Sequence, residues 1–300
     1  MPINNEEEGK TKTSTLSNYL VAFIDLLGQS KRLLEIKHAD EIVAESKFFS
    51  QWLKGTFGTV KQFREAFFDH VERLNKPRDG SPIPAQFTQA NVKMIPASDS
   101  IILYVSLHDP VGSRYLSNMN GVYSIFSALG ALAPLFIMMG KPFRAGIAIG
   151  LGAEIEGVGF YGSALPLASE LEKKADYPRI IIDQYAIEYL EDIANTEFTN
   201  VFIGTSGPEQ RLARAHAQEC LSMIFTDSDG VPALDFLCEK IHALYVMSDP
   251  LSYNAFSGGY AAILDSIRDQ SDPKIKNKYI RLKEYYDSRA ASWLHFGAHP

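Results

Sequence analysis

The chain has 300 residues, of which 46% are apolar, and this length and composition can bury a sizeable core. Its formal net charge of -7 argues against a general binder of nucleic acid or of anionic membranes, because both need a clustered basic surface. Two cysteines without tight spacing, Cys220 and Cys238, indicate neither a disulfide framework nor a zinc site, so a cytoplasmic location is expected.

The first third of the chain predicts a strand, helices and a hairpin. Residues 1–17 lack the apolar core of a signal peptide and are expected to form a disordered lead-in. Residues 19–25 predict a buried strand, Gly28 marks the turn after it, and helical patterning follows. Residues 92–105 predict two strands, with Asp99 at the tip of a hairpin.

Residues 122–139 are apolar enough and long enough to cross a membrane. However, Pro134 interrupts the run, no polybasic flank follows it, and a strand-like segment begins almost at once. A helix buried in the core or at a subunit interface is therefore the favoured interpretation. The membrane-spanning alternative remains open on the sequence alone.

The rest of the chain predicts shorter elements. Up to residue 195 these are a strand at 143–149, a hairpin with several glycines at 150–162 and a helix at 165–175. A strand at 179–182 and a helix at 184–193 follow. An edge strand is predicted at 230–237, and one or two amphipathic helices at 261–292. The order predicts an α+β fold in which helices cover a mostly antiparallel sheet, with a first domain over 18–195 and a helical C-terminal extension, 196–300, packed on it.

Asp25 is a candidate metal ligand. It ends a buried apolar strand, where a carboxylate is costly unless it is ionised and partnered, and a metal ion is one good partner. The backbone amides of Leu26, Leu27 and Gly28 then face the start of a helix, where a triphosphate is well accommodated. The alternative is an ordinary helix N-cap aspartate.

Asp99 is the second candidate, since it also lies between strand-forming runs. Two aspartates from adjacent strand ends can converge on two Mg²⁺ or Mn²⁺ ions about 3.5–4 Å apart, which activate a 3′-hydroxyl and neutralise a leaving pyrophosphate. The alternative for Asp99 is a simple turn residue.

A third segment resembles the strand-hairpin-helix block of class III nucleotidyl cyclases, in which R-x-G-I-x-x-G precedes a helix start of the form W-G-x-x-V-N-x-A-x-R-x-E. The matching residues are Arg144, Gly146, Ile147, Gly150, Gly162, Ala168 and Glu172. With FIDLLG at Asp25 and SDSIILY at Asp99, three blocks occur in the family's order over residues 18–190. The resemblance implies a cyclase-like catalytic domain over 18–195 with a ferredoxin-like βαββαβ core.

Two departures from the family bear on the substrate. Purine-using members read the base edge with a lysine and an acidic residue at the positions that hold Ile95 and Gly159 here. A site built to bond a base edge rejects the wrong base strongly, so their loss argues against ATP and GTP. The helix Asn and Arg that bind ribose and phosphates fall on Pro166 and Glu170.

Three basic residues elsewhere in the chain are candidates to bind the phosphates in place of the family's helix arginine. Lys174 shares a helix face with Glu170, and Lys31 and Arg32 follow the turn after the first strand. The alternative for all three is a solvated surface charge.

This chain has the two aspartates that bind metal in the family and lacks the lysine and the acidic residue that contact a purine base. In this it resembles the pyrimidine cyclases of bacterial antiphage (Pycsar) systems. This resemblance implies a homodimer with composite active sites that converts UTP or CTP to the 3′,5′-cyclic monophosphate and pyrophosphate. It implies two Mn²⁺ or Mg²⁺ ions per site, held by Asp25, Asp99 and the backbone carbonyl of Leu26. A separate effector would be activated by the cyclic nucleotide, with no nucleic acid or membrane as a partner.

Three questions stay open at this stage. UTP is favoured over CTP only slightly, so a cytidylate cyclase is one alternative. A catalytically inactive, nucleotide-sensing relative is another, because Pro166 and Glu170 replace the family's transition-state residues. A diguanylate cyclase or polymerase palm is disfavoured, since the Gly-Gly-Asp/Glu-Glu-Phe hairpin is absent.

Overall fold

The computed structural model describes residues 16–38, 46–76, 89–107, 115–156, 159–195, 207–246 and 254–294. The strands are β1 (Ser17–Leu26), β2 (Lys93–Ala97), β3 (Ser100–Ser106), β4 (Phe143–Ile155), β5 (Gly159–Gly162), β6 (Ile180–Ile182), β7 (Ile224–Thr226) and β8 (Pro232–Leu234). The helices are α1 (Gln29–Leu33), α2 (Lys47–Gly55), α3 (Phe57–Asn75), α4 (Tyr115–Met138), α5 (Ala164–Lys174), α6 (Gln184–Asn195), α7 (Gly207–Ser222), α8 (Glu239–Val246), α9 (Ala255–Asp269), α10 (Pro273–Ser288) and α11 (Ala290–Trp293).

The described strands form one sheet in the order β2-β3-β1-β4-β6-β8-β7, and β5 pairs with β4. Neighbouring strands are antiparallel except β4 and β6, which are parallel. Helices connect β1 to β2 and β3 to β4, so the portion β2-β3-β1-β4 has the order of a ferredoxin-like split β-α-β core. The predicted α+β class and the mostly antiparallel sheet are confirmed.

The two faces of the sheet differ in what covers them. Successive side chains of a strand point to opposite faces, so the even-numbered residues of β1 share one face and the odd-numbered residues share the other. Leu20 and Ile24 pack in the large core with Phe63 and other side chains of the long helices. Tyr19 belongs to a smaller cluster that includes residues of α5. Asp25 therefore lies on the face that the short helix α5 covers.

Helix α4 is the central helix of the large core. Its segment Asn118–Met138 is long and apolar enough to cross a membrane by length and composition, and 78% of its most apolar window is buried inside the fold. The helix packs against α3, α7 and α9 and accommodates Pro134 within its length. This burial is that of a core helix, which was the favoured interpretation of residues 122–139.

The C-terminal part of the chain shares the sheet and the core with the first part. Strands β7 and β8 continue the sheet beyond β6, and side chains from both parts form one hydrophobic cluster. The strand predicted at 230–237 is present as β8, but the prediction that it lies at the edge of the sheet is wrong, because β8 lies between β6 and β7. The helical region after residue 254 contains α9, α10 and α11 rather than one or two helices.

The N-terminal prediction can be compared with the structure only at its end. Residues 1–15 of the predicted lead-in lie outside the described residues. Strand β1 already begins at Ser17, two residues before the predicted strand, and it pairs there with Gly152 of β4.

Candidate active site

The ends of β1 and β3 bring Asp25 and Asp99 to neighbouring positions. Asp25 is paired with Ser100 across the two strands, and the Leu26 N–H donates a hydrogen bond to the Asp99 carbonyl at 3.2 Å. Asp99 lies in the tight turn between β2 and β3, directly after Ser98, whose φ is +57°. Both aspartates are partly buried. Their role as metal ligands stays a prediction.

Arg144 lies on the other side of Asp25. The two residues are paired across β1 and β4, and the Nε and Nη2 atoms of Arg144 each lie 3.1 Å from Oδ2 of Asp25. Nη1 donates to the carbonyl of Ala175 at 3.3 Å. Nε is also 2.5 Å from Oε1 of Glu172, an ion pair without an aligned hydrogen bond. One guanidinium therefore joins two carboxylates and the end of α5.

Two glycines of β4 explain why α5 lies so close to the sheet. A Cβ atom on Gly146 would lie 2.2 Å from the carbonyl oxygen of Ala168 and 2.6 Å from the nitrogen of Glu172. A Cβ atom on Gly150 would lie 2.9 Å from the backbone of Ala164. Real Cβ atoms do not approach backbone atoms this closely, so the glycines allow the helix to place Glu172 over Arg144.

Glu172 is the most deeply buried acid of this group, with a side chain only 4% exposed. Burial raises the pKa of Glu172, and the charge of Asp25 and a hydrogen bond with it act in the same direction, while Arg144 opposes them. The cluster of Asp25, Arg144 and Glu172 thus carries two carboxyl groups against one guanidinium.

The donor set at this place fits a hard divalent cation that substrate phosphates help to bind. Asp25 and Asp99 offer carboxylate oxygens, which Mg²⁺ and Mn²⁺ prefer. Mg²⁺ is usually held by one or two carboxylates together with waters and phosphates, rather than by a closed protein cage. The described residues contain no group of three or more His, Cys, Asp or Glu side chains arranged to hold a metal ion.

The turn after β1 is already hydrogen-bonded to its neighbours. The Leu27 N–H donates to the carbonyl of Pro142 at 3.1 Å, as the Leu26 N–H does to Asp99. Gly28 has a φ of +81°, a left-handed conformation that favours glycine. A phosphate would compete with these two carbonyls for the amides of Leu26 and Leu27, and the substrate-binding role of the turn stays a prediction.

Arg32 lies beside a cation that the sequence analysis missed, Lys141. The carbonyl of Arg32 accepts a hydrogen bond from Trp52 Nε1 at 2.6 Å, which ties α1 to α2. Burial and the nearby charge of Arg32 lower the pKa of Lys141, whose Nζ donates to Gln62 at 2.9 Å. The side chain of Lys31 lies outside the described part of the chain. Arg32 and Lys31 as substrate ligands stay predictions.

Lys174 is exposed at the C-terminal end of α5, and its charge lowers the pKa of Asp183, which burial raises overall. Pro166 and Glu170 are exposed on the same helix. The substrate-binding role of Lys174 stays a prediction.

The two positions at which purine-using cyclases contact the base hold an apolar residue, Ile95, and a glycine, Gly159. Ile95 packs beside the small cluster that contains Tyr19 and Tyr104, and Gly159 has a φ of +106° at the start of β5. Lys93, on the same face of β2 as Ile95, forms an ion pair with Glu154 of β4. This pair is polar and part-exposed, and the sequence pattern did not predict it.

Arg144 and Glu172 are the side chains around Asp25 whose contacts the sequence analysis missed. Both belong to the block that resembles class III cyclases, but the pattern assigned them no role. The available signal was the spacing of Gly146 and Gly150 on β4 against the small residues of α5, since small residues facing each other indicate close packing.

Comparisons with known proteins identify no family. A scan against protein-family models gives no match, and a search of curated proteins gives none either. Among solved structures, the chain is similar to one described as a bacterial light-regulated adenylyl cyclase, with a TM-score of 0.34 and 8% identity. The match covers 91% of this chain and 57% of that one, so the chain spans little more than half the length of that structure.

Proposed function

We propose that the chain is a nucleotidyl cyclase that converts a pyrimidine nucleoside triphosphate, with UTP favoured over CTP, to its 3′,5′-cyclic monophosphate and pyrophosphate. The observation that carries the proposal is the hydrogen bond from Leu26 to Asp99, since it holds the ends of β1 and β3 together and brings two carboxylates to one end of the sheet. The three sequence blocks that resemble class III cyclases support the same reaction.

Asp25 and Asp99 would hold two Mn²⁺ or Mg²⁺ ions, with the carbonyl of Leu26 as a further ligand. When bound, the ions supply activation of the ribose 3′-hydroxyl and neutralisation of the leaving pyrophosphate. The chain's own part is to position the triphosphate against that hydroxyl, because phosphoryl transfer depends mainly on positioning and on charge neutralisation. Arg32 and Lys141 add positive charge near the turn after β1.

Pyrimidine specificity is proposed from the residues at the two positions where purine-using cyclases contact the base. The side chain of Ile95 forms no hydrogen bond and Gly159 has no side chain, so the edge of a purine base would find no hydrogen-bond partner at these two positions. The resemblance to antiphage pyrimidine cyclases extends the proposal to a homodimer, to a cytoplasmic location and to a cyclic nucleotide that activates a separate effector in defence.

The test is to incubate the purified chain with Mn²⁺ and each of the four nucleoside triphosphates, and to identify the products by mass spectrometry. We expect cyclic UMP or cyclic CMP, with the rate lowered by about 100-fold or more in Asp25→Asn and in Asp99→Asn. Asp265→Asn is the control, because Asp265 is an exposed acid paired with Arg268 on α9.

Two outcomes would contradict the proposal in different ways. Absence of product from all four triphosphates would exclude the enzyme, and cyclic AMP as the sole product would exclude pyrimidine specificity. A nucleotide-sensing relative without activity is the second candidate, favoured by the exposed Pro166 and Glu170 at the family's catalytic helix positions. It would bind UTP or CTP in equilibrium dialysis and return the nucleotide unchanged.

A further inference from the structure

Each nitrogen of the Arg144 guanidinium contacts an oxygen of the protein. Nε and Nη2 approach Oδ2 of Asp25, Nε pairs with Glu172, and Nη1 donates to the carbonyl of Ala175. All three nitrogens therefore have partners in β1 and α5. Since two of the three nitrogens approach Asp25, the arginine holds the carboxylate of Asp25 in place.

The contact with Asp25 is made from one side. The closest approaches of Nε and Nη2 are both to the same oxygen, Oδ2, at 3.1 Å. A carboxylate has two oxygens, and a group that holds one of them sets the direction of the other. Carboxylates that bind metals are commonly held by such hydrogen bonds from outside the ligand shell, and loss of the holding group costs about 10–100-fold in metal affinity.

Glu172 keeps Arg144 in that place. Its side chain is 4% exposed, and the close approach of α5 at Gly146 leaves it little freedom. A second carboxylate on the guanidinium draws Arg144 to the side of Asp25 and offsets its positive charge, which would otherwise oppose a cation at Asp25. Without Glu172, the arginine would be free to turn its planar fork onto both oxygens of Asp25.

We infer that Arg144 and Glu172 are positioning residues that orient Asp25 to bind a divalent cation. The inference rests on the proposed function, since it assumes a metal ion at Asp25. It adds that metal affinity depends on a pair of residues that hold the ligand Asp25, and that the helix α5 transmits this effect through its packing on Gly146.

The test measures Mn²⁺ binding without nucleotide, from the electron paramagnetic resonance signal of free Mn²⁺, in wild type, Arg144→Gln, Arg144→Lys and Glu172→Gln. We expect the Kd to rise about 10–100-fold in Arg144→Gln. We expect a rise of about 10-fold in Glu172→Gln. Arg144→Lys should restore only part of the loss, because an ammonium group cannot bridge two carboxylates as a guanidinium does.

Arg281→Gln is the matched control, because Arg281 also pairs with two carboxylates, Asp176 and Asp229, and is exposed to a similar degree. Its Kd for Mn²⁺ should equal that of the wild type. Circular dichroism of each variant establishes that the folded protein is being compared, and a purely structural role would lower the melting temperature without changing the Kd.

The outcomes separate this inference from the proposed function. An unchanged or smaller Kd in Arg144→Gln and Glu172→Gln would overturn the positioning role, since Arg144 would then be neutral or a competitor of the metal. Absence of Mn²⁺ binding in the wild type would overturn this inference, whereas the proposed function, in which substrate phosphates help to hold the metal, would be overturned by the absence of product.

Discussion

Two arginines at the same end of the sheet have different surroundings. Ala145 of β4 and Ile180 of β6 are partners across the parallel strands. Arg144 directly precedes Ala145, and Arg179 directly precedes Ile180. Each arginine pairs with two carboxylates, Arg144 with acids of β1 and α5 and Arg179 with acids of the β7–β8 turn. The same residue type in matching positions thus serves two clusters.

The clusters differ in charge balance. Around Arg179, three acids, Asp227, Asp229 and Asp176, face two guanidinium groups, because Arg281 lies 3.7 Å from Asp229 and 3.0 Å from Asp176. Around Arg144, a single guanidinium faces two carboxyl groups, and Asp99 adds a third acid nearby. The first cluster has one acid more than its guanidinium groups and the second has two more, so the second has more negative charge left for a cation. This difference indicates which cluster is structural and which is a candidate site.

The largest expected effect is on the cluster around Arg179. Arg179→Gln should lower the free energy of unfolding by about 3–5 kcal/mol, because the side chain is 4% exposed and its loss leaves Asp227 buried without its guanidinium partner. Urea denaturation followed by circular dichroism measures this change. The Kd for Mn²⁺ should stay at the wild-type value.

The matched variant for this prediction is Arg144→Gln, which should show the reverse pattern, a smaller loss of stability and a larger change in Mn²⁺ affinity. If both variants lost the same stability and the same affinity, the distinction between a structural and a functional cluster would be wrong.

The difference between these clusters could not be read from the sequence. Strand patterns predicted β1 and the β2–β3 hairpin, and their antiparallel pairing brings Asp25 and Asp99 together. The contact of Arg144 with Glu172 depends on how α5 packs on β4, and that depends on tertiary geometry rather than on the periodicity of either element. For the same reason the pairing of Arg179 with the turn after β7 was beyond prediction.

A second prediction concerns the packing that brings Glu172 to Arg144. Gly146→Ala should lower the free energy of unfolding by about 1–3 kcal/mol, because the new methyl group would meet the backbone of Ala168 at 2.2 Å and force α5 away from β4. Since Glu172 moves with the helix, the Kd for Mn²⁺ should rise as well. Urea denaturation and Mn²⁺ titration measure the two effects.

Gly58→Ala is the control for that substitution. Its new methyl group in α3 would meet no atom closer than 3.4 Å, and alanine favours a helix over glycine. The control should be neutral or slightly stabilising with an unchanged Kd. An unchanged Kd in Gly146→Ala itself would mean that the position of α5 has no influence on Asp25.

The smallest expected effect is a pH-dependent change in the free energy of unfolding, which should differ in sign between the two clusters. Burial and Asp25 raise the pKa of Glu172 above 4.5 despite Arg144 and Lys173, so its ionised form destabilises the fold at neutral pH. Glu172→Gln should therefore raise the free energy of unfolding at pH 7 by up to about 1 kcal/mol. This gain should shrink as the pH falls through the raised pKa and disappear below pH 4.5, where the carboxyl group is protonated in both the folded and the unfolded state.

Asp227→Asn should have the opposite sign in the same urea titrations between pH 4 and pH 8. Burial alone would raise the pKa of Asp227, but hydrogen bonds from Tyr177, Ser228 and Arg179 bring it below 3.8. Its ionised form therefore stabilises the fold above pH 3.8, and the stability is lost only as the pH falls through the lowered pKa. A loss of stability in Glu172→Gln at pH 7 as large as that in Asp227→Asn would show that both clusters are structural ion pairs.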